Sequence, residues 1–318
     1  MLFLGLMAGV SAAEEQRTVT LWHRWSGNNE AILKEVVEQF EAQNPDIKVE
    51  ITGKSGQYFD LLQQMLADAA AGLPRPDVFV GGYNLLNYIA TEMDPVPSDQ
   101  VAPSADAYAE MTGRFSEEVL ALGAYDGVQV GLPFALSNMV MYVNMDIFAE
   151  AGLTEDDIPT TWEEVAEVSK VIIEKTDKYG VGIQMSDNWT DQALIYSAGG
   201  SLLSEDRTHV AFNDEGSVRA YTMWQNLMNE GYAPICTDAE LNANFMAGSV
   251  AMNCTSNAKL AGYASSVTFE MKVVESPAFD GFEKKLPAGG AALISFTSEE
   301  ESREDVWKLM DYMLSPEG

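Results

Sequence analysis

Residues 139–175 read MVMYVNMDIFAEAGLTEDDIPTTWEEVAEVSKVIIEK. Met139 to Val143 is an unbroken apolar run of strand length, as expected of a strand buried on both faces. Asn144, Asp146 and Gly152 punctuate the segment after it. Pro159, Thr160 and Thr161 then lead into Trp162. Thr161 has the chemistry of an N-cap, and Glu164 three residues on completes a capping box. Val165, Val168, Ile172 and Ile173 fall on one face of the helix expected over 162–175. A buried strand followed by an amphipathic helix is the repeating unit of an α/β layer.

The same alternation extends in both directions. Towards the N-terminus, TVTLW (18–22) reads as a strand, and Ile32, Leu33, Val36, Val37 and Phe40 recur at helical spacing. Asn44, Pro45 and Asp46 stop that helix, and IKVEIT (47–52) alternates like a strand. Tyr58, Leu61, Leu62, Met65, Leu66 and Ala69 mark a second helix, which Gly72 and Pro74 end, and DVFV (77–80) is another short strand. Towards the C-terminus, Val181 to Met185 and Ala291 to Phe296 read as strands, and Ser302 to Leu314 as a helix. The strands are expected to be largely parallel. No repeat or low-complexity tract interrupts the pattern, so two interleaved α/β lobes are expected from 318 residues.

Composition narrows the function classes. Forty-nine acidic against 18 basic residues give a net charge of −31. Such a chain repels nucleic acid and anionic lipid, so neither is expected as a partner. The acids are scattered along helices, which reads as a solvated acidic surface and would suit a saline habitat. Leu2 to Val10 is a short apolar run followed by Ser11, Ala12 and Ala13, the pattern of a signal-peptide core and cleavage site. Residues 1–13 are therefore expected to be an export signal, with a periplasmic destination and no membrane insertion. Cys236 and Cys254 would pair in an exported protein, closing a loop of about 17 residues and stabilising it by about 3 kcal/mol.

Several segments, in order, resemble family 1 of the bacterial extracellular solute-binding proteins, the group with maltose- and glycerol-3-phosphate-binding proteins. They are TVTLWH (18–23), FEAQNPDIKVEI (40–51), GLPRPDVFV (72–80), VGLPFALSNMVMYVNMDIFAEAGL (130–153), PTTWEEV (159–165), FMAGSVAM (245–252), LPAGGAALISF (286–296) and VWKLMDYMLSPEG (306–318). The VNMDIFAEAGL and PTTWEEV pair is the most specific of these. The resemblance implies a two-lobed, type II-like periplasmic-binding-protein fold with a ligand cleft between the lobes. It implies a first lobe from 14–133, a second from 134–280, and a return to the first over 281–318. Family members run on for further helices, so the resemblance also implies that the last helices are truncated. It implies no enzyme and no cofactor. The expected function is the receptor of an ABC importer for a sugar or polyol, acting as a monomer with permease subunits as partners. The alternative within the family is a glycerol-3-phosphate or glycerophosphodiester receptor; a more remote one is an exported polysaccharide hydrolase.

A sugar site needs aromatic faces and short polar groups on loops at the carboxyl ends of strands. His23, Trp25 and Ser26 follow the first strand, with Trp22 expected in the core. Tyr58 opens the second helix, at a position where the resemblance implies an aromatic ligand contact. Tyr83 and Asn84 follow Gly81 and Gly82, which would let backbone approach a ligand. Phe134 and Ser137 lie in the expected crossover, and Trp189 is expected on a loop after a strand. Ser256 follows a strand-like run, and Gly289 and Gly290 precede the returning one. Trp162, Trp224 and Trp307 sit on helical patterns and read as core. The two histidines, His23 and His209, have no metal-ligand spacing. No nucleophile elbow is present, and Gly53-Lys54-Ser55-Gly56 lacks the spacing of a phosphate loop.

Overall fold

The computed structural model describes residues 16–54, 56–184, 188–297 and 299–318. The segment read as an export signal, Ser55 and residues 185–187 lie outside the described residues. The chain divides into two compact units, 1–134 with 291–318, and 135–290. The first contains β1 (Arg17–His23), α1 (Asn28–Gln43), β2 (Ile47–Gly53), α2 (Tyr58–Ala70) and β3 (Val78–Gly82), and β4 (Gly131–Ser137) carries the chain out of it. The second contains β5 (Met139–Asn144), α3 (Trp162–Lys175), β6 (Tyr179–Ile183), α4 (Asn188–Ser197), α5 (Glu215–Asn229), β7 (Val250–Ser256) and β8 (Met271–Glu275). The chain returns along β9 (Gly289–Ser295) and finishes with α6 (Glu300–Met313).

The first unit is built on a five-stranded sheet of order β2-β1-β3-β9-β4. Side-chain alternation along β3 serves two cores, because successive residues point to opposite faces. Val78 and Val80 join Phe40 of α1 and Trp307 and Met310 of α6. Phe79 joins Leu61, Leu62 and Met65 of α2 on the other face. The second unit has a four-stranded sheet of order β8-β5-β7-β6. Met139, Met141 and Val143 of β5 pack with Trp162, Val165 and Ile172 of α3 and Trp224 of α5. Tyr142 points the other way, into a smaller cluster with Phe245 and Tyr263. The α3 cap forms as expected. Thr161 Oγ1 accepts from the Glu164 N–H at 3.2 Å, and the Glu164 carboxylate accepts from the Thr161 N–H at 3.2 Å.

Three expectations need correction. The sheets are mixed rather than largely parallel. β2 and β3 run parallel to β1, but β9 is antiparallel to β3. β5 is antiparallel to both β7 and β8, and only β6 runs parallel to β7. Apolar runs report burial and carry no information on direction. The return to the first unit comes at Ala291 rather than at 281. Residues before it are held in the second unit, where Ser197 Oγ donates to Lys285 O at 3.1 Å and Leu286 packs on the core. Cys236 and Cys254 are free thiols. Cys254 lies in the α3-side core, whereas Cys236 packs against the Tyr142 cluster. The two thiols thus pack against different cores and are not bonded to each other.

Candidate functional site

The parallel strands of the first unit bring their carboxyl ends to one edge of the sheet. Trp22 lies level with Thr52 of β2 and Phe79 of β3. β9 enters at the same edge, with Ala291 opposite Gly82. Open α/β sheets bind ligands at this edge. Here the chain places Arg24, Trp25, Tyr58, Tyr83 and Asn84, directly after β1, β2 and β3.

Trp25, half-buried, stacks at a tilt against Phe134 with ring centroids 5.4 Å apart. Its Nε1–H donates to the Tyr58 hydroxyl at 3.3 Å. Tyr58 is the first residue of α2, and its ring lies on Gly82. A Cβ on Gly82 would sit 2.8 Å from that ring. The close approach read into the glycine pair is thus to Tyr58 from within the same unit. The Arg24 guanidinium lies 4.9 Å from the centre of the Tyr58 ring, and its Nε donates to Gly56 O at 2.7 Å. Burial raises the Tyr58 pKa, and the Trp25 hydrogen bond and Arg24 charge oppose that shift. The Tyr83 hydroxyl is buried with no hydrogen bond of regular geometry, and burial raises its pKa. Ser26 and Asn84 are exposed.

His23 corrects a further expectation. It is 0% exposed and does not face solvent. Its Nδ1 accepts from the Trp25 backbone N–H at 3.1 Å, so the ring proton belongs on Nε2. That Nε2 is buried without a partner. Burial lowers the His23 pKa, with Glu30 opposing and Lys34 adding to the shift. His23 therefore holds the Trp25 loop from beneath. Trp22, expected in the core, is half-buried against the α2-side cluster under the Lys54 ammonium, 4.9 Å from its ring.

The second unit gathers Ser137, Trp189 and Gly289. A Cβ on Gly289 would lie 2.5 Å from Ser137 Oγ and 3.0 Å from Trp189 Nε1. Trp189 lies in the first turn of α4 rather than on a loop. Its Nε1–H donates to Pro287 O at 2.9 Å, a long-range contact that no local pattern signals. The Ser137 hydroxyl makes no hydrogen bond among the described residues. Gly290 has φ +121°, and a Cβ there would meet Ala135 O at 1.9 Å. Ser256 caps a short 3-10 turn, its Oγ accepting from the Ala258 N–H at 3.2 Å. It therefore has a structural task, although its own proton remains available to donate. Trp162, Trp224 and Trp307 are core residues.

No group of three or more His, Cys, Asp or Glu able to hold a metal occurs among the described residues. Among them, no helix is long and apolar enough to cross a membrane. Residues 25–318 match the model of the bacterial extracellular solute-binding protein family. The chain belongs to this family. A binding protein of Brucella abortus (strain 2308) is 27% identical to this solute-binding protein over 330 residues, which cover 98% of this chain and 74% of that one. Two solved structures share the fold. The GacH receptor of Streptomyces glaucescens, determined unliganded and with acarbose, has a TM-score of 0.82 at 20% identity, covering 94% of this chain and 76% of that chain. UgpB from Mycobacterium tuberculosis, in complex with glycerophosphocholine, has a TM-score of 0.82 at 21% identity, covering 94% and 75%. The solute-binding protein thus has the α/β fold of two-lobed binding proteins.

Proposed function

We propose that this solute-binding protein is the extracytoplasmic receptor of an ABC importer and binds a sugar or sugar-like polyol. The observation that carries the reading is the aromatic group at the carboxyl edge of the first sheet. Trp25 and Phe134 present ring faces, and the Tyr58 hydroxyl accepts from Trp25. Ring faces suit the apolar side of a pyranose, and nearby hydroxyls suit its polar rim. The second unit contributes the Ser137 hydroxyl and the Trp189 ring. Closure of the two units on the ligand is the proposed mechanism, since only a ligand that binds the closed form better can drive it. The permease subunits read the closed form, the site of action is the periplasm, and the working unit is a monomer.

A thermal-shift panel of neutral sugars, acidic sugars, polyols and glycerol phosphates tests the reading. A true ligand at a hundredfold excess over its Kd adds about 2.7 kcal/mol, or about 4 °C for a chain of this length. That shift should be lost in Trp25→Ala. A panel in which no compound shifts the melting point, or a shift that survives Trp25→Ala, overturns it.

A further inference from the structure

Val19, Leu21 and His23 alternate to one face of β1, and all three are buried. Val19 and Leu21 pack there with Leu33 and Val37 of α1. Buried polar atoms are ordinarily paired. The His23 ring has one nitrogen bonded and one without a partner. Nδ1 accepts from the Trp25 N–H at 3.1 Å, so it carries no proton, and the neutral ring has its proton on Nε2. A second proton can therefore be added only at Nδ1, the atom that holds Trp25. Its arrival sets two N–H donors against each other, and that hydrogen bond must break. The loop after β1 is lightly tied elsewhere. Gly27 leads into α1 at φ +60° with no side-chain cap. The Trp25 ring rests on Phe134 and donates to the Tyr58 hydroxyl at 3.3 Å, a long hydrogen bond.

The charged groups that act on His23 come from α1. Glu30 favours the imidazolium and Lys34 opposes it, and the two are paired to each other at 2.6 Å. From β2 the ring meets Gly53, where a Cβ would lie 3.2 Å from Cε1 and 3.4 Å from Nε2. Lys54, next along, turns its ammonium to the Trp22 ring, and Arg24 lies over Tyr58. Burial is the largest influence and lowers the His23 pKa.

We propose that His23 is a proton-controlled positioning residue: its neutral ring seats Trp25 for ligand, and a proton on Nδ1 releases Trp25 and weakens binding. The inference rests on the reading of Trp25 as a ligand contact. Proton and ligand then compete. Binding is strongest with His23 neutral and declines as pH falls through a folded pKa that lies below 6.5. Below that pKa the Kd of a ligand that does not itself titrate should rise about tenfold per pH unit, the slope of one proton. By reciprocity, bound ligand holds the proton off His23.

Nitrogen-15 NMR of the whole chain, labelled at histidine and tryptophan, tests the device without ligand. The chain has two histidines, so His209→Asn, at an exposed residue of the second unit, leaves one imidazole to follow. At pH 7.5 it should be the Nε2–H tautomer. As pH falls Nδ1 should gain its proton, and the Trp25 backbone N–H, assigned by its loss in Trp25→Phe, should shift with the same midpoint. Titration calorimetry with maltose, glucose and glycerol, none of which titrates, supplies the ligand arm. The Kd of any that binds should rise about tenfold per pH unit below that midpoint, and should be flat with pH in His23→Asn, whatever its absolute value. An imidazole that stays neutral until the chain unfolds, a Trp25 resonance unmoved while His23 titrates, or a Kd with the same pH dependence in both proteins overturns the proposal. Failure of all three compounds to bind counts against the sugar reading alone, because the resonances decide the His23 device independently.

Discussion

The two units supply candidate ligand contacts by different physical means. In the first, side chains make the surface: Trp25 leans on Phe134, donates to Tyr58, and is held from below by His23. In the second, the missing side chains of Gly289 and Gly290 make it, by letting one strand approach Ser137, Trp189 and Ala135. A surface made of rings should tolerate local change in stability and lose affinity. A surface made of backbone proximity should lose stability first.

Gly290→Ala should give the largest effect. Its φ of +121° disfavours any side chain, and the obstacle at 1.9 Å is backbone, which cannot swing aside. A loss of about 3 kcal/mol or more is expected in urea unfolding. Gly82→Ala meets the Tyr58 ring and the Asn84 side chain instead, and should cost about 1–3 kcal/mol. Equal costs would erase the contrast between the units. Trp25→Ala should weaken ligand binding about 100-fold by titration calorimetry, the loss of a buried aromatic contact. Trp189→Phe keeps a ring but strands Pro287 O, so the stability loss should be about 1 kcal/mol.

The thiols give a subtler test. A reducing agent should leave the melting temperature unchanged, because no disulfide is present. Cys254, fully buried with its pKa raised by that burial, should react with a thiol reagent only on unfolding, and Cys236 before it. Two unreactive cysteines that become labile on reduction would restore the disulfide.

The smallest expected effect concerns pH. Burial lowers the folded-state pKa of His23, so between the folded and unfolded pKa values the unfolded chain binds more protons. The stability from neutral His23 is complete above about 6.5 and declines as pH falls through the folded pKa. His23→Asn offers an amide oxygen to the Trp25 N–H and does not titrate. Its melting temperature should fall less than that of wild type between pH 7.5 and pH 5, as read by differential scanning calorimetry in those buffers. Parallel profiles would show that His23 contributes nothing to the Trp25 loop at acid pH.

Much of this was legible in particular residues. The Thr161 and Glu164 box started α3 at Trp162, because capping is a local exchange of hydrogen bonds within four residues. Trp25 and Tyr58 were legible as rings near the carboxyl edge of the first sheet, because each follows a strand in the sequence pattern. His23 was misread because burial depends on Gly53 and Trp25 arriving around it. Trp189 was placed on a loop because the helix there has an unremarkable pattern. Gly82 was read as making room for a ligand when it makes room for Tyr58.

By itself the sequence determined the strand and helix order, the α/β class and the shortage of cations, since each depends on local pattern or on counting. Strand direction, the return at Ala291 and the separation of Cys236 from Cys254 were decided only by tertiary structure. These depend on which distant segments meet. A hydrophobic pattern specifies that a face is buried, and only the folded chain decides what buries it.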